Sequence, residues 1–413
     1  MGYPEAAYRD EKYYFDAFEQ LLARAVQAQL VSDVPLGAFL SGGVDSSGIV
    51  HWMSRATSQP VKTFSIGFQY KSYNELEYAR QAAQTCRAEH YEQYVNVDAA
   101  AVLPKIVWHA EEPTADSSML PLYYLAQMTR QHVTVALSGD GADEILAGYE
   151  TYQAFYAQQL YRLLPGFFRR RVVHPLVHLL PVSDNKVSFD FKLKRFVNSA
   201  ELDPDAAHAS WRIIFDESAK RSLYNPDIQA ALNGLSTLDL YRGAFAKTDA
   251  QHPLHRMLYV DTRFYLPNDM LVKVDRMSMA HSLEVRVPYL DHEVVEFAAA
   301  MPPWLKLKNY RHKKYLLKAI LGQYLPANLL WRKKQGFNVP KGIWLKNELK
   351  EFAFDHLSPH LIKEMGLFQP EAIQKILQAH TSGQYDYSHQ IWGLLSLSLW
   401  WQQYIRQSVQ VVA

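Results

Sequence analysis

The chain has 413 residues, of which 48% are hydrophobic and 21% charged, enough apolar material for two packed lobes. Its formal net charge of +1 provides no overall field that would attract nucleic acid or an anionic membrane. Cys86 is the one cysteine, which excludes an internal disulfide framework, a cysteine-rich zinc site and a paired-thiol redox centre. The N-terminal residues lack the profile of a signal peptide, and no apolar run approaches ~18 residues. We therefore expect a soluble, cytoplasmic protein.

Apolar residues recur at helical spacing over residues 13–30, which predicts a first helix. Four short apolar runs then predict strands at residues 36–40, 62–68, 91–97 and 133–137. Helical patterns alternate with them at residues 46–55, 74–87, 99–108 and 121–131. This alternation predicts an α/β fold with a doubly wound parallel sheet.

Beyond about Tyr161 the strand signal fades. Helical patterns dominate there, for example at residues 258–264, 294–300, 313–321 and 387–404. We therefore predict an α/β lobe with a lead-in helix over residues 1–165 and a mostly helical C-terminal lobe over residues 166–413.

The loop that follows the first predicted strand has the sequence SGGVDSS (residues 41–47) and leads directly into a helix. Gly42 and Gly43 allow backbone N–H groups to turn inward, and the helix N-terminus with Ser46 and Ser47 favours a phosphate. Asp45 would repel a polyphosphate unless a divalent cation lay between them, so we infer Mg²⁺ there. A capped helix is the plain alternative, because Ser and Asp are common N-caps.

The loop lacks the lysine of a Walker A motif. It resembles the pyrophosphate-binding loop of the ATP pyrophosphatase families, which cleave ATP between the α- and β-phosphates. A second loop, SGDGADE (residues 138–144), follows the last predicted strand, so that both loops can share one crevice. Its three carboxylates would be costly to bury without cations or a basic partner.

The second loop is similar to the SGEG-x-DE motif of the synthetase domain of glutamine-dependent asparagine synthetases. Three further stretches follow in the order of that family, KVDRMSMAHSLEVRVPYLDH at 273–292, KKYLLK at 313–318 and KKQGFNVP at 333–340. The resemblance runs from about Phe18 to about Trp401. It implies an adenine nucleotide α-hydrolase-like fold, ATP and Mg²⁺, and a reaction that adenylates a carboxylate.

The resemblance also implies roles for single residues. Asp45 and Asp143 match acidic positions that hold Mg²⁺ against pyrophosphate, and Lys314 matches a lysine that stabilises charge on the α-phosphorus. Asp140 stands where the family usually has glutamate, beside the reacting centre. The positions that would contact the adenylate are Leu40, Ser41, Ile66, Ser138 and Gly139.

A polar loop at residues 111–118 could line the acceptor side through Glu112, Asp116 and Ser117, although an ordinary proline-containing loop explains these residues equally well. The run Arg332-Lys333-Lys334 is, taken alone, typical of solvated surface.

Position 2 is Gly2, where glutamine-dependent relatives have the cysteine nucleophile of a glutaminase domain. We therefore expect ammonia from solution or from a separate glutaminase, or no ammonia at all if another amine is the nucleophile. Asp140 is one methylene shorter than glutamate, which weakens the prediction of aspartate as substrate more than that of adenylation.

The leading hypothesis is an amide-forming ligase that converts aspartate to asparagine, with AMP and pyrophosphate as products. The alternatives are an amidotransferase or cyclising ligase for another carboxylate (an envelope sugar, a peptide or a β-lactam precursor) and a non-catalytic nucleotide-binding partner of a glutaminase. We expect no nucleic-acid or membrane partner, and a homo-oligomer stays open.

Overall fold

The structure is a computed structural model that describes residues 9–68, 74–95, 98–180, 189–332 and 339–406. Its first half alternates strands and helices: α1 (Glu11–Gln29), β1 (Leu36–Phe39), α2 (Val44–Ala56), β2 (Lys62–Gly67), α3 (Leu76–Thr85), β3 (Glu89–Tyr94), α4 (Ala99–Ala110), α5 (Met119–Arg130), β4 (Val135–Leu137), α6 (Ala142–Ile145) and α7 (Glu150–Tyr161). The four strands and the five helices predicted in this stretch are observed, with ends that differ by a few residues. The predicted end of the third strand, residues 96–97, lies outside the described residues.

Helices dominate the rest: α8 (Gly166–Phe168), α9 (His174–His178), α10 (Phe189–Ser199), α11 (Pro204–Ser210), α12 (Glu217–Leu223), α13 (Pro226–Leu232), α14 (Thr237–Phe245), α15 (Pro253–Val260), α16 (Leu271–Met279), α17 (His292–Ala300), α18 (Pro303–Lys306), α19 (Tyr315–Leu321), α20 (Ala327–Leu330), α21 (Lys341–Lys346), α22 (Lys350–His356), α23 (Pro359–Met365), α24 (Pro370–Thr381) and α25 (Ser388–Trp400). Segments of π-helix occupy Arg169–Val173, Asp261–Met270 and Trp401–Arg406, and a 3-10 turn occupies Pro288–Leu290. Three short strands interrupt the helices: β5 (Glu284–Arg286), β6 (Leu307–Lys308) and β7 (His312–Lys313).

The five-stranded sheet has the order β3-β2-β1-β4-β5, and all its neighbouring strands run parallel. Consecutive strands build outward from β1 to β3, and the next strand, β4, then pairs on the other side of β1. The strand order therefore reverses between β1 and β4, which is where open α/β sheets bind ligands beyond the carboxyl ends of their strands.

The second half is mostly helical, as expected, but it also contributes β5 and the β6–β7 hairpin, which the sequence pattern did not indicate. β5 has three residues, none fully buried, so no apolar run marks it, and pairing with β4 alone fixes its register. The helix predicted at residues 313–321 begins only at Tyr315, because Lys313 belongs to β7 and Lys314 has a left-handed backbone conformation.

Two compact units divide the chain, and neither is continuous in sequence. Unit 1 comprises residues 1–96, 121–153 and 244–337, and unit 2 comprises residues 97–120, 154–243 and 338–413. The boundary predicted near residue 165 stays a prediction.

Unit 1 contains the whole sheet and a core on which α1 is anchored. The side chain of Asp10 caps α1 by accepting a hydrogen bond from the N–H of Tyr13 at 2.9 Å. Phe18, Leu22 and Val26 recur at helical spacing along α1 and are fully buried in the core cluster. In β1, Gly37 packs so closely against β2 that an added Cβ would lie 2.6 Å from the Lys62 carbonyl oxygen.

Unit 2 has a helical core in which α4 packs along α25. Val102 and Ile106 of α4 and Ile391 and Leu395 of α25 are buried. Beyond α25, the hydroxyl of Tyr404 donates to the carbonyl oxygen of Trp108 in α4. The contact between the C-terminal segment and α4 therefore extends past the apolar side chains. No helix among the described residues is both long enough and apolar enough to cross a membrane.

Candidate active site

The two glycine-containing loops meet where the strand order reverses. β1 and β4 are paired in parallel, with Leu36 opposite Val135, so residues 41–47 and 138–144 leave the sheet at the same edge. The contact is tight: an added Cβ at Gly139 would lie 2.9 Å from the Cβ of Asp45. Only glycine fits at position 139 without moving one of the loops.

The hydroxyl of Ser46 closes the first loop on itself. Ser46 Oγ accepts from the N–H of Ser41 at 3.2 Å and donates to the Gly43 carbonyl oxygen at 3.3 Å. Gly42 has φ +68°, and a side chain there would meet the backbone of Tyr78 at 2.4 Å. The loop is therefore held in one conformation by its own serine and by the first turn of α3.

Lys314 connects the two loops electrostatically. Its Nζ lies 2.6 Å from Asp45 Oδ1 of the first loop and 2.6 Å from Asp143 Oδ1 of the second. The lysine side chain is 3% exposed, and the two carboxylates are largely buried. A cation enclosed with two carboxylates satisfies the requirement, inferred from sequence, that the buried acids have a basic partner.

A hairpin and a strained backbone place Lys314 at this point. β6 and β7 are joined through Asn309 and Tyr310, both of which have positive φ, as in the tight turns of β-hairpins. Lys314 itself has φ 51° and ψ 40°, a conformation that costs a non-glycine residue about 1 kcal/mol. In this backbone conformation, directly before α19 begins, the side chain of Lys314 reaches both loops.

Gly148 leaves the space that the Lys314 cluster occupies. An added Cβ at this position would lie 1.8 Å from Asp143 Oδ1 and 2.1 Å from Lys314 Cε. The N–H of Gly148 also donates to the Asp143 carbonyl oxygen at 2.8 Å. The glycine is therefore a required part of the cluster, and sequence inspection did not single it out.

A pocket of about 300 Å³ opens beside the cluster, within unit 1, at the small end of the usual range for ligand pockets. Its lining carries two carboxylates, Asp45 and Glu150, and a larger number of basic groups. The basic lining residues are Arg311, His312, Lys313, Lys314, Lys318 and Arg332. Such a pocket favours an anion with several negative charges.

The predicted phosphate-binding residues are not all at this pocket. Ser41, Gly43 and Asp45 line it. Ser47 is fully buried behind the loop, and its hydroxyl has no hydrogen-bond partner among the described residues. Ser46 makes hydrogen bonds within the first loop, and Ser138 and Gly139 follow β4. Contacts of these residues with a nucleotide stay predictions.

The predicted adenylate contacts surround the start of the first loop. Leu40 and Ile66 are buried, and the Leu40 carbonyl oxygen accepts a hydrogen bond from the hydroxyl of Ser65. In the second loop the hydroxyl of Ser138 donates to Asp140 Oδ2. Asp140 thus has its carboxylate fixed by its own loop.

Arg332 is a site residue that sequence reasoning assigned to solvated surface. It is largely buried, with Nη1 2.7 Å from Glu75 Oε1 and Nε donating to the Gly42 carbonyl oxygen at 3.3 Å. Its guanidinium also lies 4.4 Å from the ring centre of Tyr78. Arg332 therefore fastens the first loop to α3. The neighbouring Lys333 and Lys334 lie outside the described residues.

Glu144 ends the second loop in a buried carboxylate–tyrosine pair. Burial, and to a smaller extent the charge of Asp143, raise the pKa of Glu144 to about 7. The hydroxyl of Tyr149 donates to its Oε1. The carboxyl of Glu144 is therefore more easily protonated than that of an exposed glutamate.

The acceptor-side candidates Glu112, Asp116 and Ser117 all belong to unit 2. Glu112 is exposed, and Asp116 accepts hydrogen bonds from the N–H and the hydroxyl of Ser118 at 2.8 and 2.7 Å. Ser117 is buried and accepts from Lys341 Nζ at 3.2 Å. These contacts order the loop, and its acceptor-side role stays a prediction.

The carboxylates of Asp45 and Asp143 are suited to binding a magnesium ion that is also coordinated by substrate phosphates. Asp45 and Asp143 converge on one cation, the ammonium of Lys314, and Mg²⁺ is commonly bound through one or two carboxylates, waters and substrate phosphates. No group of three or more His, Cys, Asp or Glu side chains in the described part of the chain is arranged to hold a metal. Phosphate oxygens would have to complete the coordination.

The sheet and its two loops define an α/β protein with a basic anion pocket at the edge where the strand order reverses. The family model for asparagine synthase matches residues 17–402, nearly the whole chain. The chain belongs to this family, as the motifs predicted.

Curated relatives support the same assignment. The asparagine synthetase [glutamine-hydrolyzing] 1 of Bacillus subtilis is 34% identical over 91% of this chain and 57% of its own length. The putative asparagine synthetase [glutamine-hydrolyzing] of Mycobacterium tuberculosis is 31% identical over 96% of this chain and 58% of its own length. The amidase chyE of Penicillium rubens is 24% identical over 90% and 59%. The chain thus spans a little under three fifths of the length of these relatives.

Proposed function

We propose that this chain catalyses an ATP-dependent, AMP-forming amidation on an adenine nucleotide α-hydrolase-like sheet. A substrate carboxylate attacks the α-phosphorus of ATP and forms an acyl-adenylate, and pyrophosphate leaves. Ammonia then attacks the acyl carbon, and AMP departs as the amide forms. Aspartate is the favoured carboxylate, and asparagine the corresponding product.

The observation that carries this proposal is the Asp45–Lys314–Asp143 cluster at the contact of the two loops. Cleavage between the α- and β-phosphates develops negative charge on the departing pyrophosphate, and the basic pocket offers groups to receive it. Asp45 and Asp143 are the residues that would hold Mg²⁺, which supplies charge neutralisation on the phosphates when bound. Lys314 would then exchange part of its carboxylate contact for phosphate oxygens.

Pyrophosphate release from ATP, aspartate and ammonium tests this proposal directly. The first equivalent should require ATP and aspartate, continued release should also require ammonium, and release should fall by at least about 100-fold in Asp45→Ala and Lys314→Ala. Lys375→Ala, which removes an exposed lysine of α24, should leave release unchanged. Undiminished release in Lys314→Ala or Asp45→Ala would show that this cluster is not the phosphate site.

Asp140 favours a second candidate, an amidation of another carboxylate. The shorter side chain, held by the Ser138 hydroxyl, places its carboxylate differently from the glutamate usual in the family. A panel of carboxylates from envelope sugars, peptides and β-lactam precursors, measured with and without ammonium, separates this candidate from aspartate amidation. ATP binding in calorimetry without pyrophosphate release from any of these substrates would instead favour a non-catalytic nucleotide-binding partner of a separate glutaminase.

A further inference from the structure

The segment from residue 160 to residue 179 of unit 2, here called the basic apolar segment, exposes large apolar side chains in an unusual density. Leu163 and Leu179 are 81% and 78% exposed. The other exposed apolar side chains between them are Leu164, Phe167, Phe168 and Leu176. Single exposed apolar residues are ordinary, but six within 17 residues on a folded surface mark an interaction site.

The charge of the same stretch has one sign. Residues 151–180 contain no Asp or Glu and four arginines, at positions 162, 169, 170 and 171, in a chain whose net charge is only +1. Arg169 is paired with Glu201 at 2.6 Å. Arg170 lies 3.8 Å from the same carboxylate with a side chain that is 69% exposed, and Arg171 is exposed with its guanidinium 5.3 Å from the ring centre of Phe167. Two arginines are therefore presented next to the exposed aromatic rings.

The basic apolar segment has regular secondary structure, so the exposure of its apolar side chains is not that of an irregular loop. Gly166–Phe168, Arg169–Val173 and His174–His178 follow each other without a break as helical turns. Val177 is buried on the inner side, and Arg162 donates to the Ala200 carbonyl oxygen at 2.9 Å. The segment thus consists of a turn at residues 162–165 and helical turns from Gly166 to His178, held on unit 2, and it exposes both apolar and cationic groups.

We propose that the basic apolar segment docks unit 2 on an anionic lipid surface, contrary to the expectation of no membrane partner, which rested on the net charge of the whole chain. Helices that lie in a membrane interface combine aromatic and leucine side chains, which enter the acyl boundary, with arginines that pair with lipid phosphates. The segment has both groups, and it has no acidic residue that such a surface would repel. This proposal does not depend on the proposed catalytic activity.

Charge argues against a second copy of the chain as the occupant. A two-fold symmetric dimer through this segment would place Arg170 and Arg171 of one copy against the same basic segment of the other. Glu201 is already engaged by Arg169 and is the nearest carboxylate that the described contacts bring to the segment. An anionic surface has the complementary charge that a second copy lacks.

Vesicle co-sedimentation of the full chain tests the proposal. The chain should sediment with phosphatidylcholine vesicles that contain phosphatidylglycerol, and binding should weaken as salt is raised. The double variants Leu163→Glu/Leu179→Glu and Arg170→Gln/Arg171→Gln should each weaken binding about tenfold or more. Leu235→Glu is the matched control, because Leu235 is 62% exposed elsewhere in unit 2, and it should bind like the unchanged chain.

Three outcomes would overturn the proposal. One is no sedimentation with the phosphatidylglycerol vesicles, and a second is equal sedimentation with pure phosphatidylcholine vesicles. A third is a dimer in light scattering that Leu163→Glu/Leu179→Glu converts to monomer, since the segment would then be covered by a second copy. An unfolding transition measured for each variant shows that it is folded, and this check needs no activity assay.

Discussion

Lys314 of unit 1 and Lys341 of unit 2 both have buried ammonium groups, and these two lysines differ in their partners. Lys314 of unit 1 lies 2.6 Å from each of two carboxylates. Lys341 of unit 2 instead donates to the Ser117 hydroxyl at 3.2 Å and contacts Nδ1 of His389 at 2.9 Å. Its ammonium group is buried although the residue as a whole is partly exposed.

The comparison shows that the partners, and not burial alone, decide what a buried lysine can do. Burial lowers the pKa of Lys341 to about 8, and the charges of Asp116 and Asp386 oppose the shift only in part. Lys314 has two carboxylates in direct contact, whereas Lys341 contacts Ser117 and His389. Lys314 is therefore suited to contact phosphates as a cation, whereas Lys341 is suited to holding a loop by hydrogen bonds.

Gly148→Ala is the strongest way to break the unit 1 cluster without removing a charge. Because the added methyl group would overlap Asp143 Oδ1 and Lys314 Cε, the two loops have to separate. A displacement of about 1 Å at reacting groups costs about 100-fold in rate, so we expect pyrophosphate release to fall at least that far. Release assays with ATP, aspartate and ammonium measure the effect.

The matched control for that change is Gly243→Ala in α14, where an added Cβ meets nothing within 4 Å. Activity should persist, and the free energy of unfolding should rise by about 0.5–1 kcal/mol, because alanine is favoured over glycine inside a helix. Equal activity of Gly148→Ala and Gly243→Ala would contradict the placement of Gly148 at the cluster.

Replacing each lysine by methionine compares the two buried ammonium groups directly. Lys314→Met leaves Asp45 and Asp143 buried without a cation, which should lower the free energy of unfolding by about 3 kcal/mol. Lys341→Met removes an ammonium group whose charge is already disfavoured by burial. The free energy of unfolding should therefore change by no more than about 1 kcal/mol. Denaturant unfolding measures both, with Lys375→Met as the exposed control. The comparison fails if Lys341→Met is the more destabilising of the two.

The pH dependence of stability should report on the unit 2 cluster through His389. Burial, with the charge of Lys341 as a smaller cause, lowers the pKa of His389 from 6.5 to about 3. The unfolded chain therefore binds a proton that the folded chain does not, and stability is lost as the pH falls from about 6.5 towards 3. His389→Gln should remove about 2 kcal/mol of the loss between neutral pH and about pH 5. Unfolding curves that keep the same pH slope in the variant would contradict this assignment.

Local pattern was sufficient for the strands and loops of the first half but not for the cluster itself. The buried strand β1 and the loop at residues 41–47 are continuous in sequence, so their periodicity and glycines indicate them directly. Lys314 is 269 residues from Asp45, and only family resemblance singled it out among the lysines. The role of Gly148 depends on its contact with Lys314, which is far away in the sequence, as well as with nearby Asp143, so no pattern of neighbouring residues contains it.

Arg332 is a second residue whose contacts the local sequence pattern does not reveal. Its substitution should have the smallest effect of those considered for unit 1. As a neighbour of two lysines it looks like surface, yet it pairs with Glu75 and contacts the loop carbonyl oxygen of Gly42. Arg332→Lys keeps the charge but loses the planar fork that reaches both groups. We expect this variant to lose about 1 kcal/mol of binding free energy for ATP, which corresponds to roughly a fivefold rise in the KM for ATP with kcat little changed. Arg406→Lys, in a half-exposed pair with Glu364 at 2.7 Å, should change neither constant. A fall in kcat without a change in KM would instead show that Arg332 acts on the reacting groups rather than on the position of the loop.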